Sequence, residues 1–140
     1  NPPLRGRRDM EALKAGLQAD IMDVIATDHA PHSAEEKAKG LKGSAFGIVG
    51  IETAFAVCYT HLVKKGLITL EKLIELLAVN PRKRFNIPLG EDFSVWALNK
   101  EFTVNPEEFL SMGRATPFEG MEFYGTCYLT ALNGKAVYEK

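Results

Sequence analysis

Seven residues, Ile21-Met22-Asp23-Val24-Ile25-Ala26-Thr27, run without a break into Asp28-His29-Ala30-Pro31-His32. The first stretch is short, apolar and partly β-branched, which predicts a buried strand. It ends directly on a carboxylate, with His32 four residues further along and held by the stiff Ala30-Pro31 step. A strand ending on such a cluster constrains the fold more than any other feature of the chain. In α/β folds, and above all in (β/α)8 barrels, active sites are built at the C-terminal ends of the strands. A carboxylate there can bind a divalent metal or act as general base on a metal-activated water. His32 can ligate metal or hydrogen-bond an anionic substrate. The spacing D-x-x-x-H also arises by chance. In that case Asp28 caps a turn, and His29 and His32 are surface polar residues. On spacing alone the two readings weigh about evenly.

The flanking sequence punctuates clearly. Asp9 and Gly16 read as the N-cap and the stop of a short helix. Ser33 and Glu36 stand at capping-box spacing, so a helix is expected to start at Ala34. Gly40, Gly43, Gly47 and Gly50 predict a loop. Ile51, Ala54, Phe55, Cys58, Tyr59, Leu62 and Val63 then recur on one helical face, a stripe best read as core packing. His61 falls between those positions and is expected to face solvent. Thr69 can cap a second helix carrying Leu70, Leu73, Ile74, Leu77 and Ala78. Asn80-Pro81 reads as a cap with Pro at the first helical position of a further turn. After Pro88 the pattern changes to strands at Phe93–Leu98, Phe102–Val104, Gly125–Leu132 and Lys135–Tyr138. The last two are joined by the hairpin signal Asn133-Gly134. Trp96 and Tyr138 are expected in the core of this β-rich part.

Composition removes several function classes. The 140 residues carry 17 Lys plus Arg against 18 Asp plus Glu, a formal net charge of −1, which argues against an electrostatic nucleic-acid binder. No apolar run approaches the ~20 residues of a membrane span. The opening residues lack the basic-then-apolar pattern of a signal peptide. Two cysteines, Cys58 and Cys127, are too few for a disulfide scaffold and fit a reducing, cytoplasmic setting. Cys58 lies on the apolar stripe and is expected to be a small buried hydrophobe.

Several blocks occur in order along the chain: Asn1-Pro2-Pro3-Leu4-Arg5, Ala26-Thr27-Asp28-His29-Ala30-Pro31-His32, Glu36-Lys37 and Phe46-Gly47-Ile48-Val49-Gly50-Ile51-Glu52-Thr53. Asn80-Pro81, Thr116-Pro117-Phe118-Glu119-Gly120 and Asn133-Gly134-Lys135 follow. Together they resemble the C-terminal third of bacterial-type dihydroorotases, in the cyclic amidohydrolase superfamily. The resemblance implies an α/β fold, namely the C-terminal fragment of a (β/α)8 TIM-type barrel plus part of a small β-rich flanking subdomain. Residues 1–87 would close the barrel, with its last strand, active-site loop and closing helices. Residues 88–140 would form the β-rich part. The implied reaction is reversible hydrolysis of (S)-dihydroorotate to N-carbamoyl-L-aspartate, with Zn2+ as one or two ions. Asp28 matches the residue that touches the metal and shuttles the proton of the attacking hydroxide. His32 matches the histidine that binds the substrate carboxylate, and Asn1 a substrate-contacting asparagine. Phe46 and Gly47 match a loop pair whose backbone meets the pyrimidine ring, where a glycine permits close approach. His29 and Pro31 are given shaping roles.

The departures from the family matter equally. No His-x-His pair is present, and one carboxylate cannot hold a catalytic zinc, which needs about three protein ligands. The remaining ligands are expected upstream, with the chain opening inside a substrate-binding loop, so these 140 residues alone are expected to be inactive. Ser44-Ala45 stands where Ala-Pro is usual, and Leu89 to Phe93 is shorter than the family's usual stretch. A small-molecule substrate is expected, without nucleic acid or membrane, and with a homodimer or an association with aspartate transcarbamoylase as the protein partners to look for. Two other readings stay open. One is an allantoinase or dihydropyrimidinase type of cyclic amidohydrolase. The other is a non-catalytic dihydroorotase-like scaffold for aspartate transcarbamoylase.

Overall fold

A computed structural model describes residues 5–140. Helix α1 spans Arg7–Gln18, longer at both ends than the sequence predicts. Gly6, extended at φ −76° and ψ 176°, is the N-cap in place of Asp9. Asp9 instead sits in the first turn, where its charge complements the helix dipole. Gly16 does not stop the helix; it is buried within it, beside Met22. The stop falls at Ala19, followed by Asp20 at φ 56°.

The segment 21–27 differs from expectation. It carries no regular secondary structure, and among the described residues it pairs with no strand. Its Ile25 N–H donates to the carbonyl of Leu76 at 3.0 Å, and Ile21 is 77% exposed. A strand needs neighbours on its edges to form a ladder. The three strands of the described chain pair among themselves elsewhere.

Past the turn at 28–32, α2 (Ala34–Lys37) starts with the expected reciprocal box. The Glu36 N–H donates to Ser33 Oγ at 3.2 Å, and the Ser33 N–H to Glu36 Oε2 at 2.8 Å. Within the glycine-rich stretch, Gly40–Gly43 forms one short turn, α3, before the loop.

The apolar stripe forms α4 (Ala54–Cys58), which widens into a π-helical turn at Tyr59–Val63. The buried face is shifted from the predicted one. Ile51 is exposed, while Thr53 and Ala56 are buried. Cys58 is half-buried, and burial pushes its thiol pKa up. Thr69 caps α5 (Leu70–Ile74) by accepting from Lys72 N–H at 3.2 Å. A second π-helical turn, Glu75–Val79, leads directly into α6 (Asn80–Arg84). Asn80 is therefore helical rather than a cap, and its N–H donates to Glu75 five residues back. Its side chain donates to Asp23 O at 2.9 Å, which ties segment 21–27 to this helix.

Three antiparallel strands complete the chain: β1 (Phe93–Thr103), β2 (Glu122–Leu132) and β3 (Lys135–Glu139), in the order β1-β2-β3. The two runs expected near Phe93 and Phe102 are one strand, carrying irregularities between Val95 and Trp96 and between Ala97 and Glu101. Asn133 and Gly134 make the β2–β3 turn at φ 50° and 71°, the paired positive angles such a turn requires.

One core cluster joins the helical and β-rich parts. Ala56 packs with Val104 and Phe123, flanked by Val57, Phe102, Phe109 and Phe118. Trp96 is half-buried and lies against Phe55, ring centres 4.3 Å apart. Leu73 and Leu76 are fully buried along the second helix. His61 is exposed as expected, with its ring edge-on to Phe123 at 5.7 Å. No helix of the described residues is long and apolar enough to cross a membrane.

Candidate functional site

Asp28 follows segment 21–27 with φ 48°, a left-handed conformation that Asp and Asn adopt more readily than other non-glycine residues. This turns the chain sharply and leaves Asp28 exposed. Among the described residues its carboxylate accepts no hydrogen bond, so its lone pairs are free for a proton or a ligand.

His29 faces inward. It forms an isolated parallel bridge with Ile48, and Ala30 N–H donates to Ile48 O at 2.8 Å. The His29 Nδ1 accepts from Gly50 N–H at 3.0 Å and lies 3.4 Å from Ile51 N. An accepting Nδ1 presents its lone pair to the Gly50 N–H. His29 therefore pins the turn to the segment 47–51, which is a shaping contact.

His32 N–H closes a tight turn onto Ala30 O at 2.9 Å, over Pro31. Its half-buried ring places Nδ1 3.6 Å from Glu36 Oε2, while Nε2 has no hydrogen-bond partner among the described residues. The Glu36 carboxyl is held below its ordinary value, first by the Ser33 N–H, then by the Ser33 hydroxyl and more weakly by His32 and Lys39.

The second loop arrives alongside. Gly47, at φ 100°, would place a Cβ 2.6 Å from that of Ala30, so only glycine fits between the loops. Phe46 is 72% exposed beside it. Lys37 Nζ donates to Ala45 O at 2.9 Å and to Gly47 O at 2.8 Å, binding α2 to this loop. Asp28, His32, Phe46 and Gly47 thus lie on two adjoining loops. Asn1 lies outside the described residues.

A third segment, far along the chain, closes the arrangement. Val49 N–H donates to Ala115 O at 3.0 Å. A Cβ on Gly113 would stand 2.6 Å from the Pro31 carbonyl carbon, so this loop rests directly on the turn. Glu52 holds the loop, accepting from Leu110 N–H at 2.9 Å, Ser111 N–H at 3.0 Å and Ser111 Oγ at 2.6 Å. Partial burial opposes ionisation of Glu52. The Ser111 hydroxyl, the two N–H groups and Arg114 outweigh it, so the carboxyl sits below its ordinary value. Arg114 ties the same loop by donating to the carbonyls of Phe109 and Ser111. Sequence reasoning placed Lys37 and Glu52 inside recognisable blocks but gave them no role. Apart from the Ser111 hydroxyl, their partners are backbone carbonyls and N–H groups, which carry no residue signature.

Among the described residues no three His, Cys, Asp or Glu side chains converge as a metal site.

The comparisons with known proteins agree with the motifs. Over its whole length the chain is 48% identical to a dihydroorotase of Bacillus cytotoxicus, of which it covers 34%. Over 99% of its length it is 49% identical to a dihydroorotase of Brevibacillus brevis, again covering 34%. The chain thus spans about a third of the length of the curated relatives it matches. Its fold matches an L-hydantoinase (dihydropyrimidinase) from Arthrobacter aurescens with a TM-score of 0.89 and 30% identity, over 99% of this chain and 34% of that one. It matches a D-hydantoinase (dihydropyrimidinase) from Thermus sp. with a TM-score of 0.88 and 24% identity, over 99% and 33% of the two chains, a likeness of fold alone. No protein-family model matches. The resemblance to dihydroorotases extends along the entire chain.

Proposed function

We propose that this chain works as the C-terminal portion of a dihydroorotase, which reversibly hydrolyses (S)-dihydroorotate to N-carbamoyl-L-aspartate. The observation that carries the reading is the exposed Asp28 carboxylate, which accepts no hydrogen bond among the described residues and directly follows segment 21–27, in a sequence 48% identical to a dihydroorotase. In the reaction, water adds to the ring amide carbon and the carbon–nitrogen bond breaks. Asp28 takes the proton released by water and returns it to the leaving nitrogen. His32, with Nε2 unpartnered among the described residues, hydrogen-bonds the substrate carboxylate. The Phe46-Gly47 backbone, and Asn1 from its own loop, hold the ring.

Segment 21–27 is read as the last strand of a (β/α)8 barrel whose neighbouring strands lie outside this chain. Its lack of a strand partner among the described residues and the exposure of Ile21 support that reading. Residues 1–87 then belong to the barrel and 88–140 to a β-rich subdomain. Zinc, as one or two ions, is part of the proposal, with Asp28 as one ligand and the rest outside this chain. Bound zinc would supply Lewis-acid polarisation at the reacting centre. A cytoplasmic location fits the two free cysteines.

A second reading, hydrolysis of another cyclic amide, is favoured by the fold match to the Arthrobacter aurescens L-hydantoinase. A substrate panel on the complete enzyme separates the two. Turnover of dihydroorotate, with little on hydantoin, dihydrouracil or allantoin, is expected. The reverse preference would overturn the dihydroorotase reading.

A further inference from the structure

Three segments distant in sequence meet at the candidate site: the turn 28–32, the segment 47–52 and the loop 109–115. The last of these touches the turn from the His32 side. A Cβ on Gly113 would lie 2.6 Å from both the Cα and the carbonyl carbon of Pro31, and 3.0 Å from the His32 carbonyl oxygen. Such close backbone seating leaves little freedom, so the place of Gly113 sets the place of Pro31 and His32. The carboxylate of Glu52, which gathers three donors from Leu110 and Ser111, anchors the residues just before Gly113, alongside the Arg114 bonds to Phe109 and Ser111 and the Val49 bond to Ala115.

We propose that Glu52 is a positioning residue that acts through Ser111 and Gly113 to hold the Pro31–His32 backbone, and with it the His32 ring, in place for an anionic group of the substrate. The proposal rests on the reading of His32 as the group that meets the substrate carboxylate. Glu52 itself touches no reacting atom. Its contact lies on the His32 side of the turn, whereas Asp28 is held at the other end by the His29 contacts to Gly50 and Ile48. Loss of Glu52 should therefore weaken substrate binding more than the chemical step.

The test compares Glu52→Ala, Glu52→Gln and Ser111→Ala with the wild-type complete enzyme, using amide hydrogen exchange and steady-state kinetics with dihydroorotate. In Glu52→Ala, exchange should quicken at residues 110–113 and also at 29–33. KM should rise roughly tenfold while kcat stays within about twofold. Glu52→Gln should fall between the two, because one amide oxygen still accepts from Ser111 while its NH2 opposes Leu110 N–H. Ser111→Ala should move in the same direction by less, since the Ser111 N–H bond survives. Unchanged KM with unchanged exchange at 29–33 overturns the proposal, as does a fall in kcat at constant KM. If Glu52→Ala fails to fold, Ser111→Ala decides by the same two readouts. If the wild type does not turn over dihydroorotate, the substrate reading fails and exchange at 29–33 alone decides the positioning.

Discussion

The ammonium of Lys37 donates to the carbonyl oxygen of Gly47 at 2.8 Å, and the same nitrogen reaches Ala45 O at 2.9 Å. One side chain from α2 thereby holds the loop that carries Phe46. Lys37→Met keeps the aliphatic stem and removes the charge. Two partly buried carbonyls then lose a charged donor, and a destabilisation of about 1–3 kcal/mol is expected. Urea denaturation of the complete enzyme measures it. Amide exchange at 45–48 should quicken in parallel.

Gly47 carries a stronger constraint. Its φ of 100° lies where side chains are strained, and a Cβ would meet that of Ala30 at 2.6 Å. Gly47→Ala should destabilise by at least about 2 kcal/mol, from backbone strain and overpacking together. A melting temperature equal to wild type would contradict this close packing of the two loops.

Much of this arrangement was legible in the sequence, and the missing part has a physical pattern. Local signals read well. The Ser33–Glu36 box, the Thr69 cap and the Asn133-Gly134 turn depend on residues within three positions of each other, and all three stand as expected. Signals that depend on context read less well. Segment 21–27 has strand composition, but a ladder needs neighbours that the described chain does not provide. Asn80-Pro81 resembles a helix start. The preceding π-helical turn, however, runs α5 into α6, and Pro81 needs no N–H partner there. The apolar stripe predicts one buried face from Ile51, yet the turn at Thr53 leaves Ile51 outside and brings Ala56 onto Phe123. At the candidate site, Asp28 and His32 stand out by residue type and position, whereas Phe46 and Gly47 follow from the resemblance to dihydroorotases. The Glu52–Ser111 link spans 59 positions and rests on backbone N–H groups as well as one hydroxyl, so no spacing rule could have found it.

Glu52 also gives a pH dependence with a definite sign. Its carboxyl is held below the ordinary value of 4.5, so the folded state favours its ionised form. The resulting stabilisation is present in full above pH 4.5 and is lost as pH falls below it, through the lowered folded-state pKa. The stability difference between wild type and Glu52→Gln, measured by denaturant titration, should shrink as pH falls below that value. A difference that grows on acidification would contradict the assignment.

The hydrophobic junction between helices and sheet is open to a direct test. Phe123 is almost fully buried between Ala56, Val104 and the edge-on ring of Phe118. Phe123→Ala should destabilise by about 3–5 kcal/mol, with a cavity left at the contact of α4 and β2. Chemical denaturation of the complete enzyme checks the magnitude.

The central claim is that Asp28 carries the proton in dihydroorotate hydrolysis, and turnover by Asp28→Asn in the complete enzyme tests it most directly. Asparagine tolerates the left-handed φ of 48°, so circular dichroism and melting should match wild type. The account predicts that kcat falls by about 10²–10⁴, the usual contribution of a positioned general base. A folded Asp28→Asn enzyme that turns over dihydroorotate within about threefold of wild type would contradict it, because a general base contributes far more than that.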